Sequence, residues 1–387
     1  MMNDFCPVGK KCSSCQLLNL TYDEQLQYKE NLCRKLLGSL CRVEAITPSP
    51  LTEGYRNKAQ FVFRREKKGL ISGVWRSGTR TMVAADCCAL CSDFANELAA
   101  VLCRLFHSFK VAPYDPYTGR GWLKSVVIRE ASAGDRMLII NGADSTFPAK
   151  RTFTSALRKA CPDLSTAVIA VNRDPSKLFT GRVSETLFGD GYITDTLCGR
   201  NFILSPTAFY QVNHDQTEQL YERAIKLLGL SRTDVLLDAY CGIGTVGIIA
   251  SQYAGHVLGV ELNKEAIRDA KRNAALNKVG NISFTAADSK LYAKGLADSG
   301  EHIDAAVIDP PRAGCTASFL KSLAKLNPRR IAYISCNPET QARDIRILSR
   351  FGYRAEIAYP FDMFPQTNHV ECVVLLSRNE TNHRAEE

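Results

Sequence analysis

From residue 220 onward the sequence alternates short apolar runs with longer helical segments, and this alternation strongly constrains the fold. Alternating strands and helices are typical of a parallel sheet with helices on both faces. Only a loop separates the last two strands, which permits a final antiparallel hairpin. Seven strands are predicted, at residues 235–239, 256–261, 282–286, 304–309, 331–335, 354–359 and 370–377. The pattern predicts an α/β fold with a Rossmann-like sheet.

The fifth predicted strand ends in the sequence SCNP, which places Cys336 between a strand and a helix. Asn337 is predicted to cap this helix, and Pro338 to occupy its first position. Ligands of open α/β sheets bind at this edge. The positive helix end favours a thiolate, so a downward pKa shift would make Cys336 a nucleophile at neutral pH. A small buried apolar cysteine is the alternative interpretation.

A glycine-rich turn, DAYCGIGTVG, follows the first predicted strand and contains Gly242 and Gly244. Its G-x-G-x-x-G pattern also occurs in nicotinamide dinucleotide sites. Such sites normally begin the turn directly at the strand, whereas here three residues intervene after an acidic strand end. This difference favours S-adenosylmethionine. Glu261 is then placed to accept the ribose hydroxyls and Asp288 to meet the adenine edge, and ordinary strand-end caps are the alternative for both.

The fourth predicted strand ends in DPPRAG, where two prolines form a rigid turn. Asp309 is predicted to face the cofactor. Enzymes that methylate the exocyclic amines of bases carry an aromatic residue after the prolines. Arg312 occupies that place, which argues against amine methylation.

The sequence DMFPQTNHVE leads into the last strand and ends at Glu371, at the edge that carries Cys336. A thiol nucleophile and a carboxylate base form the pair that carbon methylation of a pyrimidine requires. Carbon 5 of uracil becomes nucleophilic only after a thiolate adds to carbon 6, and a base must later remove the carbon 5 proton. We expect Glu371 to be that base and His369, its rival, to be a structural hydrogen-bonding residue.

Near the amino terminus, Cys6, Cys12 and Cys15 have the spacing C-x5-C-x2-C in a loop rich in Gly, Ser and Lys. Such a loop can place three thiolates around one inorganic centre. Candidates for a fourth ligand lie in the sequence DCCALC and are Cys87, Cys88 and Cys91. Four thiolates fit either tetrahedral zinc or an iron–sulfur cluster, and unrelated free thiols are the alternative.

The segment 55–80 contains eight basic residues, opposed only by Glu66 and interleaved with aromatic residues. The basic residues are Arg56, Lys58, Arg64, Arg65, Lys67, Lys68, Arg76 and Arg80. This pattern indicates a surface that binds phosphates and stacks bases, and a solvated hairpin face is the alternative. Helices at 22–40 and 98–109, a hairpin at 123–130 and 136–141, and short strands at 166–172 and 202–204 indicate a mixed α+β module.

Composition narrows the class of protein. The chain has 387 residues, which indicates two or three domains, and no apolar run approaches the length of a membrane span. Residues 1–7 lack the apolar core of a signal peptide. Fifteen cysteines argue for metal binding or thiol chemistry in a reducing cytoplasm rather than for a disulfide framework. The net charge of +9 weakly indicates a polyanionic partner.

Six ordered motifs closely resemble the RNA uracil-5 methyltransferase family, which makes 5-methyluridine in transfer RNA and large-subunit ribosomal RNA. They are FYQVN, DAYCGIGT, GVE, DPPRAG, SCNP and DMFPQTNHVE. The resemblance implies a class I, Rossmann-like, seven-stranded methyltransferase domain, with Cys336 as nucleophile and Glu371 as proton acceptor. It implies contact of the flipped base with Phe209 and of the RNA with Arg312. The implied S-adenosylmethionine site consists of Gln211, Tyr240, Gly242, Gly244, Thr245, Glu261, Asp288 and Asp309, although relatives often carry Asn where Thr245 stands.

The amino-terminal half is similar to the iron–sulfur branch of this family. In that branch four cysteines bind a [4Fe-4S] cluster, and the matching residues are Cys6, Cys12, Cys15 and Cys87. Many relatives begin with a small β-barrel RNA-binding domain, called TRAM, whereas this sequence starts at the cysteine loop. We therefore expect the central module to bind RNA, with contacts from Arg56, Lys58, Arg64 and Arg65.

The resemblance predicts three parts: an iron–sulfur loop with a linking helix (1–50), a central β-rich RNA-binding module (51–205) and the methyltransferase domain (206–387). The expected partner is 23S ribosomal RNA, with transfer RNA as the alternative. We expect a cytoplasmic monomer that binds neither membrane nor DNA. Two competing hypotheses are a redox-sensing RNA-binding protein with a vestigial methyltransferase core and a nicotinamide oxidoreductase.

Overall fold

The alternation of strands and helices appears in the computed structural model, which describes residues 6, 8–76, 79, 81–174, 179 and 181–378. The predicted basic residue Arg80 lies outside the described residues, as do six of the seven residues assessed for a signal peptide. The helices of the described part are α1 (Gly9–Cys12), α2 (Tyr22–Leu37), α3 (Asp93–Ser108), α4 (Lys150–Ala160), α5 (His214–Leu228), α6 (Thr245–Ala250), α7 (Lys264–Leu276), α8 (Ser289–Asp298), α9 (Ala317–Lys325) and α10 (Pro338–Ser349).

Three sheets are formed by the strands of the described part of the chain. They are β1 (Arg42–Val43), β2 (Lys58–Glu66), β3 (Gly69–Trp75), β4 (Met82–Ala84), β5 (Leu123–Glu130), β6 (Arg136–Gly142), β7 (Thr166–Val171), β8 (Arg182–Phe188), β9 (Ile193–Leu197), β10 (Arg200–Leu204), β11 (Val235–Ala239), β12 (His256–Glu261), β13 (Ile282–Ala286), β14 (Ala305–Ile308), β15 (Arg330–Ser335), β16 (Tyr353–Phe361) and β17 (Glu371–Arg378). All seven strands predicted in the carboxyl-terminal half are confirmed, with ends shifted by up to two residues.

The largest sheet has the order β1-β16-β17-β15-β14-β11-β12-β13. Strands β11 to β15 are parallel, and β17 runs antiparallel to both β15 and β16, which confirms the predicted final hairpin. The sheet has eight strands instead of seven because β1 pairs in parallel with β16, Arg42 lying opposite Ile357. A two-residue strand carries too little periodicity to be found in the sequence.

Helices cover both faces of the largest sheet. One hydrophobic core contains buried residues of α5, α6 and α7, and continues into the central sheet through residues such as Val127 and Val168. The core on the other face contains residues of α8, α9 and α10 together with Cys33 and Leu37 of α2. Helix α2, near the amino terminus, therefore packs on the same sheet that carries Cys336.

Helix α2 is three residues shorter than predicted, ending at Leu37. Thr21 and Glu24 form a capping box at its start. The most buried stripe of α2 is Gln25, Lys29, Cys33 and Leu37. The leucines that marked the predicted apolar stripe, Leu26, Leu32, Leu36 and Leu40, are only partly buried beside it. Two of the four side chains in this buried stripe, Gln25 and Lys29, are therefore polar.

The central sheet has the order β4-β3-β2-β5-β6-β7-β8, and β9 and β10 form a separate hairpin. Strands β5 and β6 pair antiparallel, which confirms the predicted hairpin, and the α4 crossover makes β6 and β7 parallel. Helices α3 and α4 cover one face around Phe106 and Phe153, whose stacked rings have centroids 5.6 Å apart. Throughout the described part of the chain, no helix has both the length and the apolar character required to cross a membrane.

Candidate active site

The junction between β15 and α10 places Cys336 at the carboxyl edge of the largest sheet. Asn337 caps α10, its side chain accepting a hydrogen bond from the backbone N–H of Glu339 at 3.2 Å. Pro338 starts the helix, as predicted. Cys336 is half-buried and a free thiol.

The register of two strands brings Glu371 beside Cys336. Strand β17 pairs antiparallel with β15, and Ser335 lies opposite Cys372. Cys336 follows Ser335 and Glu371 precedes Cys372, so both residues adjoin this pair at the same edge of the sheet. The negative charge of Glu371 also raises the pKa of Cys336, so the two groups lie within electrostatic reach of each other. The predicted nucleophile and base therefore share one site.

The Cys336 thiol is held in its protonated form. Burial, assisted by the negative charges of Glu371 and Asp309, raises the pKa of Cys336 to about 11, whereas the Arg312 guanidinium opposes the rise. The expectation of a lowered pKa is wrong, because burial and two carboxylates outweigh the helix end and Arg312.

Three carboxyl groups lie near this edge, and those of Asp238 and Glu371 belong to buried residues. Burial raises the pKa values of Asp238 and Asp309 to about 7, and burial with the charge of Asp309 raises that of Glu371 well above its usual range. Oε2 of Glu371 has no hydrogen-bond partner among the described residues. Asp238 accepts a hydrogen bond from the backbone N–H of Gly247 at 2.8 Å. Such a group of carboxyls is suited to a cation.

The glycine turn between β11 and α6 adopts left-handed backbone conformations at Tyr240, Gly242 and Gly244, with φ values of 66°, 55° and 83°. A Cβ atom at Gly244 would lie 2.6 Å from Cζ of Phe284, so only glycine fits there. Thr245 begins α6 and is buried.

The two acidic residues predicted to bind the cofactor follow neighbouring strands. Oε1 of Glu261, at the end of β12, accepts a hydrogen bond from the backbone N–H of Asn263 at 2.8 Å. Asp288 caps α8 by accepting from the backbone N–H groups of Lys290 and Leu291. The capping role considered for Asp288 is therefore present, and it leaves the side chain exposed at the strand edge.

The FYQVN motif lies between β10 and α5. Phe209 is 69% exposed, whereas Gln211 is buried and its carbonyl accepts a hydrogen bond from Nδ2 of Asn57 at 3.0 Å. This contact joins the start of the central sheet to the motif. Asn213 caps α5 and its Nδ2 donates to the carbonyl of Met363 at 3.2 Å.

The loop before Glu371 is held by residues that the sequence analysis did not single out. Nζ of Lys29 on α2 lies 2.5 Å from Oδ1 of Asp362 and 3.0 Å from the carbonyl of Phe364, and the ion pair is completely buried. Gln25 and Gln366 exchange two hydrogen bonds, at 2.9 Å each. The available signal was the helical spacing of Gln25 and Lys29 with Cys33 and Leu37.

His369 is half-buried in this loop. Burial first, and then the positive charges of Arg312, Lys29 and Arg56, lower its pKa. Nη2 of Arg312 lies 3.4 Å from Nδ1 of His369. The lowered pKa favours a neutral imidazole, and this imidazole lies beside Arg312 of the DPPRAG turn.

The amino-terminal cysteines line one cavity of about 310 Å³ with cysteines of the central module. These cysteines are Cys6, Cys12, Cys15, Cys87, Cys88 and Cys91. Across residues 6, 8–76, 79, 81–174, 179 and 181–378, no group of three or more His, Cys, Asp or Glu side chains is placed to hold a metal ion. The cavity contains the predicted thiols, but their present placement does not form a metal site.

The four basic residues predicted to bind RNA divide into two pairs. Arg56 and Lys58 line the cysteine cavity, and burial lowers the pKa of Lys58 to about 8. Arg64 and Arg65 are exposed on β2. Only the second pair lies on an open surface.

The parallel sheet, the glycine turn and the acidic strand ends define an α/β methyltransferase fold. Residues 179–379 match the sequence model of the tRNA (Uracil-5-)-methyltransferase family. The chain belongs to this family of RNA uracil-5 methyltransferases.

Known relatives extend over nearly the whole chain. An uncharacterized RNA methyltransferase of Halalkalibacterium halodurans is 36% identical over 378 residues, covering 96% of this chain and 82% of the relative. One from Bacillus cereus is 34% identical over 381 residues, covering 97% and 83%. The crystal structure of Pyrococcus abyssi tRNA (uracil-54, C5)-methyltransferase with S-adenosyl-L-homocysteine has a TM-score of 0.78 and 28% identity, covering 94% of this chain and 85% of that chain.

Proposed function

We propose that this protein methylates carbon 5 of a uridine in RNA through a covalent adduct, with S-adenosylmethionine as methyl donor. The observation that carries the proposal is that Cys336 and Glu371 adjoin the paired residues Ser335 and Cys372 at the ends of β15 and β17, and that the charge of Glu371 acts on the Cys336 thiol. A nucleophilic sulfur and a carboxyl group that both reach one pyrimidine can perform the addition and the proton removal.

The cofactor supplies an electrophilic methyl group on a sulfonium cation. We assign its binding to Gln211, Tyr240, Gly242, Gly244, Thr245, Glu261, Asp288 and Asp309. The raised pKa values of Asp309 and Glu371 support this assignment, because a cation beside these carboxyls would lower both values and return them to the carboxylate form. The same positive charge would lower the pKa of Cys336.

In the reaction, the Cys336 thiol first gives its proton to solvent. The thiolate then adds to carbon 6, and the electron pair of the C5–C6 double bond moves to form an enolate. Carbon 5 would then take the methyl group while the bond from that methyl to the sulfonium sulfur breaks, and a neutral thioether would leave. Glu371 removes the carbon 5 proton, the double bond re-forms, and the bond from carbon 6 to sulfur breaks to release the thiolate. Phe209 is exposed, and we assign its ring to stacking on a flipped base. We assign Arg312, in the DPPRAG turn, to contact with the RNA.

The test of the nucleophile is a labelled methyl-transfer assay on RNA from a host that lacks uracil-5 methylation. Cys336→Ala should give no transfer, and Cys103→Ala, on α3, should retain the wild-type rate. Normal turnover of Cys336→Ala would refute the role of the thiol.

The test of the base uses Glu371→Gln, which should methylate once and remain attached to RNA on a denaturing gel. His369→Gln should release its product. A stalled adduct with His369→Gln and clean release by Glu371→Gln would exchange the two assignments.

We further propose 23S ribosomal RNA as the substrate, because the amino-terminal cysteines resemble those of the ribosomal branch. The transfer RNA activity named for the Pyrococcus abyssi protein supports transfer RNA as the second candidate. Sequencing 5-methyluridine in both RNAs from a knockout strain separates them, since the modified uridine must disappear from one. The proposal includes a monomeric enzyme of three parts, 1–50, 51–205 and 206–387.

We assign Cys6, Cys12, Cys15 and Cys87 as ligands of a [4Fe-4S] cluster, supported by their common cavity. Cys88 and Cys91 lie in the same cavity, so replacing Cys87 and Cys88 separately by Ser identifies the fourth ligand. Anaerobically purified protein should be brown and contain about four iron atoms. A colourless protein that contains zinc would refute the cluster.

A further inference from the structure

We propose that a second cavity, on the central sheet, binds an unpaired nucleotide of the RNA substrate away from the modified uridine. This inference rests on the proposed function for the identity of its ligand, but it concerns a different surface. The cavity has a volume of about 610 Å³ and lies between β2, β3, β4 and the loop 112–117. Its size is within the usual range for small-ligand pockets.

The lining of this cavity combines aromatic rings with cations. Trp75, Tyr114 and Tyr117 contribute the rings, and Arg64 and Arg65 contribute exposed guanidinium groups. Tyr117 is 72% exposed, the most exposed of the large hydrophobic residues in the described part of the chain. Proteins bind unpaired bases by stacking them on aromatic rings beside arginines that contact the phosphates.

Tyr114 has one contact through its backbone and one through its ring. Its backbone N–H donates to the carbonyl of Leu123 at 2.7 Å, and Nζ of Lys124 lies 4.8 Å from the ring centroid. Lys124 is itself buried and donates to the carbonyl of Asp174 at 2.6 Å. A preformed ring costs little conformational entropy on binding.

The loop that carries Tyr117 is also shaped by local contacts. Oδ1 of Asp115 accepts hydrogen bonds from the backbone N–H groups of Tyr117 and Thr118, at 2.8 and 3.4 Å. Gly121 has a φ of 96°, and a Cβ atom there would lie 2.0 Å from the carbonyl oxygen of Pro113. The loop can therefore lie against β5 only because residue 121 is glycine.

The charge of the cavity favours a phosphate. Arg64 lies 2.8 Å from Glu66, but both side chains are about half exposed, so water screens the pair and a phosphate can compete for the guanidinium. Asp115 is the carboxylate in the lining, and its Oδ1 already accepts hydrogen bonds from two backbone N–H groups. Arg65 adds a second cation on the same strand.

Among the described residues that line this cavity, none is assigned to the active site, and only Trp75 also lines the cysteine cavity. Its ligand is therefore a nucleotide other than the one that is methylated. Arg64, Arg65 and the aromatic residues interleaved with them were predicted from the sequence, whereas Tyr114 and Tyr117 lie in a loop without periodicity and were not.

The test measures binding of a fluorescein-labelled 12-nucleotide oligouridylate to the full chain by anisotropy, at several salt concentrations. Tyr117→Ala should weaken binding about 5- to 140-fold, the value expected for one stacked base, and leave the salt dependence unchanged. Tyr117→Phe keeps the ring and should bind like the wild type. The double variant Arg64→Gln/Arg65→Gln should reduce the slope of log K against log salt by about 1.4, for two lost phosphate contacts.

The matched control is Lys67→Gln/Lys68→Gln, which removes two exposed cations from the turn next to the cavity but outside its lining. It should change the slope by less than half of the arginine effect. Equal reductions of this slope in the two double variants would overturn the inference and indicate a diffuse basic surface instead. Unchanged affinity of Tyr117→Ala would also overturn it.

A methyl-transfer assay on RNA separates this inference from the proposed function. If the wild type binds the oligonucleotide through Tyr117 but transfers no methyl group, the proposed function fails and the binding site stands. If the wild type methylates RNA and Tyr117→Ala has wild-type affinity and KM, the binding site fails and the proposed function stands.

Discussion

The completely buried ion pair between Lys29 and Asp362 provides a sharp test of how the catalytic loop is held. Lys29→Met shortens the side chain by one atom and removes its charge. Asp362 then retains a buried carboxyl group whose Oδ2 has no hydrogen-bond partner among the described residues, and its Oδ1 loses the contact at 2.5 Å. The carbonyl of Phe364 loses its donor as well.

The magnitude follows from the burial of both charges. Breaking a buried pair by removing one partner costs about 3–5 kcal/mol, because the other charge remains in a medium of low dielectric constant. Replacing both partners with apolar groups is often nearly neutral. Lys29→Met/Asp362→Leu should therefore recover most of the stability that Lys29→Met loses.

The assay is urea denaturation of the wild type, both single variants and the double variant, combined with amide hydrogen exchange of residues 362–369. The single variants should exchange faster in this loop, because it loses its connection to α2. Arg34→Gln is the control on the same helix, since Arg34 forms an exposed pair with Glu30 that is worth only about 0.3–0.5 kcal/mol.

Two results would refute this reasoning. One is a loss of less than about 1 kcal/mol in Lys29→Met, which would place the pair among ordinary surface contacts. The other is a double variant less stable than either single variant, because the cost would then come from packing and not from the unpaired charge.

Three further predictions concern the sheet edge. Gly244→Ala should abolish cofactor binding measured by calorimetry, because its Cβ would lie 2.6 Å from the Phe284 ring at a φ of 83°. Alkylation of Cys336, followed by peptide mass spectrometry, should accelerate as pH rises toward about 11, and Arg312→Gln should slow it at pH 8, because Arg312 lowers the pKa of this thiol. Asp238→Asn should flatten the pH dependence of stability. The folded protein keeps the Asp238 proton up to a pKa of about 7 while the unfolded chain loses it near 3.8, so wild-type stability falls as pH rises through this window.

Each of these predictions has an outcome that contradicts it. Gly300→Ala, at a φ of 75° with no atom within 4 Å, controls for backbone strain alone, and equal effects on cofactor binding would reject the clash argument. Alkylation of Cys336 that reaches its plateau below pH 8 would reject the raised pKa. An unchanged stability slope in Asp238→Asn would show that this carboxyl does not hold the proton.

Local sequence patterns were sufficient for the elements that carry the site. Strand β15 is a short apolar run, and Asn337 and Pro338 mark the start of the next helix, so the position of Cys336 at their junction could be inferred from hydrophobicity and capping preferences. The same reasoning located Glu261 and Asp309 at strand ends. It also anticipated the tight turn at Gly244, although not the contact with Phe284 that requires glycine.

Other features depend on residues far apart in the chain. Lys29 and Asp362 are separated by 333 positions. The periodicity of α2 cannot show that Asp362 is the carboxylate that pairs with Lys29. The same limit applies to the strand Arg42–Val43, which exists only because β16 offers an unpaired edge.

The pKa of Cys336 likewise depends on both a local feature and residues far away in the chain. Its helix end is a local feature and favours a thiolate, but burial and the approach of Glu371 and Asp309 from other strands reverse the shift. The order of residues alone determined the chemistry available at the sheet edge: a thiol, carboxylates and a glycine turn. Folding decided the protonation of those groups and the support of their loop, because electrostatic energy and burial depend on distances in space and not on separation along the chain.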